Sequence, residues 1–194
     1  MDKISFKAGY INSATIKEDG GNSGLIDKKV AVHKLNRTNN ADLETLVELN
    51  RVWCGLYEDS LTTQIHYDFI SKDSKAKAHE FFVISTQDGK SYKLDPKKIL
   101  GIIEYTHDKS KKYDYIDFIQ VNPEYMNDNK IRLLKGIGTA LLDFIKSLTG
   151  FQNIYLNAVN ESMNFYKKNE FEVIEKNIKD PLMLFKRKMI THLH

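Results

Sequence analysis

The sequence has a single cysteine, few arginines and no long apolar run. Because Cys54 is the only cysteine, a disulfide within the chain is excluded, and we expect a reducing compartment, the cytoplasm. No stretch approaches the roughly 20 apolar residues that a membrane span requires, and the first residues lack the apolar core of a signal peptide. These absences argue against a secreted protein and against a membrane partner.

The shortage of arginine bears on nucleic-acid binding. The formal net charge is only +3, and most of the positive charge is lysine. The bidentate base and phosphate contacts of many nucleic-acid readers favour arginine, so we expect no nucleic-acid partner. A solvated lysine-rich surface explains the charge, and a basic rim around an anionic small ligand is compatible with it. The four arginines are Arg37, Arg51, Arg132 and Arg187.

The composition suits one globular domain: 41% of the 194 residues are hydrophobic and 28% are charged. Residues 19–24 (DGGNSG) have the composition of a loop or linker. We therefore expect an N-terminal extension over residues 1–29, either flexible or forming a short strand or hairpin over 6–17. A single domain is expected over residues 30–190.

Hydrophobic periodicity predicts a mixed α/β (α+β) fold for this domain. An antiparallel meander comes first, and alternating helices and strands follow beyond Pro123, which predicts a mixed sheet flanked by helices. The first helix is predicted from an apolar stripe formed by Leu43, Leu46, Val47 and Trp53. Strands are predicted over 30–35, 81–85, 99–106, 113–121, 154–159, 171–174 and 182–188, and further helices over 61–70, 137–148 and 162–168.

The sharpest local feature is the run KGIGT, residues 135–139, between a strand ending near Val121 and an amphipathic helix. Two glycines separated by one residue allow backbone N–H groups to turn inward and a ligand to approach closely. The helix that follows presents free N–H groups and its positive dipole end to an anion. Glycine spacing alone leaves a tight turn as an equal alternative. The run is neither a triphosphate P-loop nor, without a third glycine at Leu141, a dinucleotide fingerprint.

The run and its flanks resemble the GNAT superfamily of N-acetyltransferases. The family's signature loop, Arg/Gln-x-x-Gly-x-Gly/Ala, leads into a helix, and Gly136 and Gly138 match it. Upstream, residues 115–125 (YIDFIQVNPEY) resemble the family's central strand and its exit. Downstream, Asn160 and Tyr166 fall on the family's Asn…Tyr spacing. The resemblance implies a mostly antiparallel sheet with splayed parallel strands.

Three positions depart from the family pattern. Leu133 stands at the Arg/Gln position, although the backbone amides do not depend on that side chain. The loop over residues 126–133 is longer than usual. Glu170 replaces the glycine before Phe171, a change that costs little if its backbone angle is ordinary.

The resemblance implies acetyl-CoA as co-substrate, without a metal. The pantetheine arm would follow the central strand through main-chain contacts, and the pyrophosphate would rest on the loop amides. The histidines in the sequence have no metal-ligand spacing among themselves. The cofactor-binding residues implied are Ile119, Gln120, Val121, Leu133, Leu134, Lys135, Gly136, Ile137, Gly138, Thr139 and Asn160.

The resemblance also implies the catalytic groups. Tyr166 matches the acid that protonates the departing thiolate, and Asp117 matches a carboxylate that serves as base. Strand alternation places Asp117 on the same face as Ile119. Glu104 on the preceding strand, or a chain of waters, are alternative bases.

The implied reaction is transfer of acetyl from acetyl-CoA to a primary amine by direct attack in a ternary complex. A catalytically inactive acyl-CoA-binding sensor or interaction domain of the same fold is the alternative. The acceptor is a small-molecule or protein amine, held by residues 52–79 and the loop after Ile174, and scattered acidic residues hint that it is cationic. Assembly as a homodimer is left open.

Overall fold

One mixed sheet forms the centre of the molecule. The computed structural model describes residues 9–54, 61–71, 78–88, 93–108, 113–126, 133–149, 152–175 and 180–186. The strands of this part are β1 (Gly9–Asp19), β2 (Leu25–Leu35), β3 (His79–Ser85), β4 (Ile99–Asp108), β5 (Tyr113–Val121), β6 (Leu134–Lys135), β7 (Asn153–Asn157), β8 (Glu172–Glu175) and β9 (Leu182–Phe185). The helices are α1 (Asn40–Cys54), α2 (Leu61–Ile70), α3 (Ile137–Leu148) and α4 (Met163–Lys168).

The strand order is β6-β1-β2-β3-β4-β5-β7-β9-β8. Among the described strands, β5 and β7 form the one parallel pair, and the other neighbours are antiparallel. The predicted mixed, mostly antiparallel sheet flanked by helices is therefore confirmed. Among the described residues, no helix combines the length and apolarity that a membrane crossing needs.

Side chains alternate across the sheet and build two cores. Phe82 and Ile84 of β3 contribute to a core that contains the buried face of α3, which we name the α3-side core. Phe81 and Val83 of the same strand contribute to a second core with α1 and α2, which we name the α1-side core. The sheet therefore separates two groups of helices.

The buried face of α1 differs from the predicted stripe. Leu49 is fully buried, together with Leu46 and Trp53, whereas Val47 is 38% exposed. Leu46, Leu49 and Trp53 stand at i, i+3 and i+7, which is one helix face, and Val47 is turned about 100° away from Leu46. The prediction had the right helix and placed one edge of its face wrongly.

The expected N-terminal extension is corrected for residues 9–29. The boundary at residue 30 falls inside β2, and β1 pairs with β2 as an antiparallel hairpin over 9–19 and 25–34. Ile16 is 1% exposed and belongs to the α3-side core. Because one face of β1 is exposed and its turn is rich in glycine, the composition resembled a linker. Residues 1–8 lie outside the described part.

Candidate active site

The parallel strands β5 and β7 separate halfway along β5. They pair over residues 113–116 and 153–156, after which β7 ends at Asn157. On the other edge of β5, residues 118–121 remain paired with β4. Within the described residues, no strand pairs with 117–121 on the β7 side, so this edge of β5 has no neighbouring strand beyond Ile116. This stretch contains the predicted cofactor residues Ile119, Gln120 and Val121.

A β-bulge at Asp117 coincides with the point of separation. Glu104 of β4 faces Phe118, and Tyr105 faces Ile116, so Asp117 is the extra residue of the bulge. A bulge bends its strand and increases the local twist, which favours separation from β7.

The bulge also overturns the expected placement of Asp117. Ile119 packs against the α3-side core, as Ile116 does. Asp117 instead interacts electrostatically with Asp68 of α2 and His79, on the opposite side of the sheet. Simple alternation had placed Asp117 with Ile119, and it failed because the extra residue shifts the register by one.

Glu104 is a fully buried acid on this α1-side face, with none of its side-chain surface exposed. His79 Nδ1 is in hydrogen-bond contact with Glu104 Oε1. Glu104 Oε2 is buried and has no hydrogen-bond partner among the described residues. Loss of solvation raises the pKa of Glu104 to about 7, and the nearby Asp68 and Asp117 carboxylates add to the rise.

His79 and Asp117 lie beside Glu104, and we name these three residues the His–Glu–Asp cluster. The Thr106 hydroxyl donates to Asp117 Oδ2 at 2.6 Å, and burial raises the pKa of Asp117. The hydrogen bond to Glu104 raises the pKa of His79. The three residues come from three adjacent strands, so their spacing in the sequence could not predict that they lie close together.

The cluster offers atoms of the kinds that bind metal ions. One ligand atom from each of its three residues lies within 4.8 Å of the others. Two ligands of a tetrahedral ion, each bonded at about 2.0–2.2 Å, stand more than 3 Å apart. His79 Nδ1 and Glu104 Oε1 are in closer, hydrogen-bond contact. These two atoms form a hydrogen-bonded pair, and the expected absence of a metal stays a prediction.

The start of α3 supplies free amides beside the separated strands. Gly136 has φ of 79° and its carbonyl accepts from Ala140 N at 2.9 Å, which makes it the N-cap. The first-turn N–H groups of residues 137–139 therefore have no partner within the helix. A Cβ on Gly136 would meet nothing within 4 Å, so the left-handed φ is what requires glycine there.

Gly138 has a different reason to be glycine. A Cβ at this position would lie 2.9 Å from Cζ of Phe165, so its absence lets α4 pack against α3. The second glycine of the run thus brings the helix that carries Tyr166 close to the helix that offers the amides.

The residues before Gly136 pair with β1, which reduces the number of amides that can face an anion. Asp19 N donates to Leu133 O at 2.8 Å, and Lys17 stands opposite Lys135. The alternation of an antiparallel ladder directs the Lys135 amide toward β1 and the Leu134 amide away from it. The expectation that every amide from Leu134 to Thr139 faces an anion is therefore corrected at Lys135. The Leu133 side chain is 61% exposed, and residues 127–132 lie outside the described part.

Tyr166 lies on the α3 side of the sheet, as do the amides at the start of α3. Tyr166 is 6% exposed and belongs to the α3-side core, as do Ile116 and Ala158, which flank the point of separation. Burial raises the pKa of Tyr166 to about 12, so its phenol is protonated at neutral pH. Asn160 is exposed in the turn that follows β7. The phenol and the His–Glu–Asp cluster therefore stand on opposite faces of the sheet, on either side of the separated strands.

No family model matches the sequence, and no curated protein matches it. Solved structures match its fold. The catalytic domain of the Tetrahymena GCN5 histone acetyltransferase, in complex with coenzyme A, is 17% identical with a TM-score of 0.52; the match covers 81% of this chain and 92% of that chain. The histone acetyltransferase HPA2 and related acetyltransferase from Corynebacterium glutamicum is 14% identical with a TM-score of 0.54, over 84% and 98% of the two chains. The chain has the fold of the GNAT superfamily of N-acetyltransferases, as the sequence resemblance implied.

Proposed function

We propose that the chain binds acetyl-CoA and transfers its acetyl group to a primary amine by direct attack in a ternary complex. The observation that carries the proposal is the separation of β5 from β7 after Ile116, beside the first-turn amides of α3. A thioester arm with main-chain hydrogen-bonding groups fits the first feature, and a pyrophosphate fits the second. The GNAT fold, found in a structure in complex with coenzyme A, supports the same ligand.

In the proposed complex the pantetheine arm runs along Ile119, Gln120 and Val121, and Asn160 contacts the arm. The pyrophosphate accepts hydrogen bonds from the amides of residues 137–139, with the Leu134 amide at the margin. Leu133 supplies no charged contact, so the backbone and the dipole of α3 carry the phosphate interaction.

The reaction needs one proton acceptor and one proton donor. The amine nitrogen attacks the thioester carbonyl, the carbon–sulfur bond breaks, and the thiolate accepts a proton. Tyr166 is the proposed donor, because its phenol stays protonated in this buried position. The proton that the amine loses goes to the His–Glu–Asp cluster, which holds both Asp117 and the alternative base Glu104. The acceptor is a small-molecule or protein amine.

Calorimetric titration with acetyl-CoA, followed by thiol release with a panel of amines, tests the proposal. Saturable binding together with acceptor-dependent thiol release is the expected result. Binding without thiol release across a broad panel would favour the inactive sensor. Absence of any affinity for coenzyme A would refute the site.

The role of Tyr166 has its own test. Tyr166→Phe keeps the aromatic packing and removes the hydroxyl, so turnover should fall by roughly 10²-fold, the usual size of a general-acid contribution, while coenzyme affinity stays unchanged. Tyr155→Phe is the matched control, because the Tyr155 ring packs edge-to-face with Tyr113 within the paired part of β5 and β7. Equal turnover in wild type and Tyr166→Phe would remove Tyr166 from the mechanism.

A further inference from the structure

The buried acid Glu104 and the partly exposed His79 differ in what they can reach. Glu104 has no exposed side-chain surface, whereas 20% of the His79 side chain is exposed. His79 stands diagonally across the β3–β4 ladder from Glu104, on the same face of the sheet, since His79 pairs with Thr106 and Glu104 with Phe81. Of the two, the imidazole is therefore the group with surface exposed to solvent.

The contact between them fixes the imidazole. A carboxylate at Nδ1 holds the proton on that nitrogen and leaves Nε2 with its lone pair. Among the described residues, no hydrogen bond engages Nε2 of His79. A buried carboxylate that orients a histidine in this way also stabilises the imidazolium that forms when Nε2 takes a proton.

We propose that His79 is the catalytic base of the acetyl transfer and that Glu104 is its positioning residue. The proposal rests on the proposed function and names the proton acceptor within it. As the amine nitrogen bonds to the thioester carbon, its proton moves to Nε2 of His79, giving an imidazolium paired with the Glu104 carboxylate. Tyr166 protonates the thiolate on the opposite face. The imidazolium then returns the Nε2 proton to water, and the Tyr166 phenolate takes a proton from water, which restores both groups.

The surroundings stabilise the imidazolium that forms when His79 accepts a proton. Asp68 of α2 and Asp117 of β5 both act on it electrostatically in the direction that stabilises the imidazolium. Arg37, after β2, is an opposing charge within the described residues and interacts electrostatically with Glu104 and Asp68. Its guanidinium lies 5.4 Å from the centre of the Phe81 ring and donates to the Phe69 carbonyl at 3.0 Å.

Among the described residues, the charges around His79 include the carboxylates of Glu104, Asp68 and Asp117 and the guanidinium of Arg37. The three carboxylates support a histidine base whose pKa lies above the ordinary value of 6.5.

The pH dependence of activity separates a histidine base from a glutamate base. Activity should be lost as the pH falls through the apparent pKa of the His79–Glu104 pair, because the doubly protonated pair accepts no proton. In Glu104→Gln the acid limb should persist and move to lower pH, since the carboxylate that favours the imidazolium is gone. If Glu104 were itself the base, that variant would lose the limb with the activity.

The rate measurements complete the test. His79→Gln should lower kcat by roughly 10²-fold, with partial rescue by added imidazole and unchanged coenzyme affinity. His107→Gln is the matched control: His107 Nδ1 contacts the buried Asp114 at 2.5 Å, away from the separated strands, and its loss should leave the profile unchanged. Thermal unfolding of each variant reports folding separately.

Three results would overturn the proposal. One is a wild-type rate and pH profile in folded His79→Gln. Another is loss of activity on dialysis against EDTA, which would assign the cluster to a metal. The third comes from proton NMR of His79 without coenzyme. The pKa of His79 should lie above 6.5 in the wild type and fall in Glu104→Gln. An unchanged pKa in that variant would contradict the pairing of His79 with Glu104. Because the NMR measurement needs no acceptor, it still tests the pair if thiol release, and with it the proposed function, fails.

Discussion

Glu170 holds a backbone conformation that L-residues rarely adopt. Its φ is 67°, in the left-handed region, directly after α4. A Cβ in that region costs roughly 1 kcal/mol. Its carboxylate stands 3.8 Å from Lys146 Nζ and is 74% exposed, so the ion pair contributes little in return. The expectation that glutamate costs little here is therefore corrected, and the glycine of the family pattern has a physical reason.

Glu170→Gly should stabilise the protein by roughly 1 kcal/mol, because it removes the strain of the left-handed angle. Denaturant unfolding measures the difference. Glu170→Ala keeps the Cβ and should give no comparable gain, which separates strain from loss of charge. Lys168→Gly, at the end of α4, should cost up to about 1 kcal/mol. A destabilised Glu170→Gly would contradict the backbone argument.

The backbone conformation of Gly136 positions the amides at the N-terminus of α3. Gly136 sets the entry into the helix with φ of 79°, and the amides of residues 137–139 project beyond it. The carbonyl of Gly136 is already engaged by Ala140 N, so any distortion at this residue also disturbs the first turn.

Gly136→Ala should lower stability by roughly 1 kcal/mol and weaken coenzyme affinity, since the preferred backbone of alanine turns the first-turn amides away from their positions. Calorimetric titration with coenzyme A and denaturant unfolding measure the two effects. Gly9→Ala is the control, because a Cβ at Gly9 meets only the Lys34 carbonyl oxygen at 3.9 Å. Full coenzyme affinity in folded Gly136→Ala would refute the loop as the phosphate site.

The N-terminal hairpin connects the sheet to the loop of the candidate site. β1 lies between β2 and β6, so it pairs on one edge with the body of the sheet and on the other with the residues before Gly136. Ile16 places its side chain in the α3-side core. The first described residues therefore belong to the structural unit that positions the loop.

Ile16→Ala should destabilise the protein by about 2–5 kcal/mol, the usual cost of removing a buried isoleucine side chain beyond Cβ. Ile11→Ala on the same strand is the matched control, because Ile11 is 42% exposed and its truncation should change stability by less than about 0.5 kcal/mol. Chemical denaturation of both variants provides the comparison. Equal, small effects would mean that β1 is a dispensable extension after all.

Local features of the fold could be predicted from the sequence, because interactions between residues close in the chain determine them. The period of α3, its glycine cap at Gly136 and the strand 113–121 were predictable, since periodicity and turn residues act within a few positions. The same local rules misplaced one edge of α1. They left a strand over 6–17 as one of two alternatives and placed it outside the domain, because the burial of β1 depends on neighbours far along the chain. Residues 55–60, 72–77 and 176–179, expected to take part in acceptor binding, lie outside the described part.

Taken alone, the sequence determined the fold class and the resemblance to the GNAT superfamily, and it predicted an anion-binding loop at residues 135–139. Only the tertiary structure decided that Asp117 is the extra residue of a bulge, that Glu170 is strained and that the Lys135 amide turns to β1. It also brought His79, Glu104 and Asp117 together from three strands. Contacts between strands depend on register and on bulges, which are set by pairing between distant segments, and no local pattern records them.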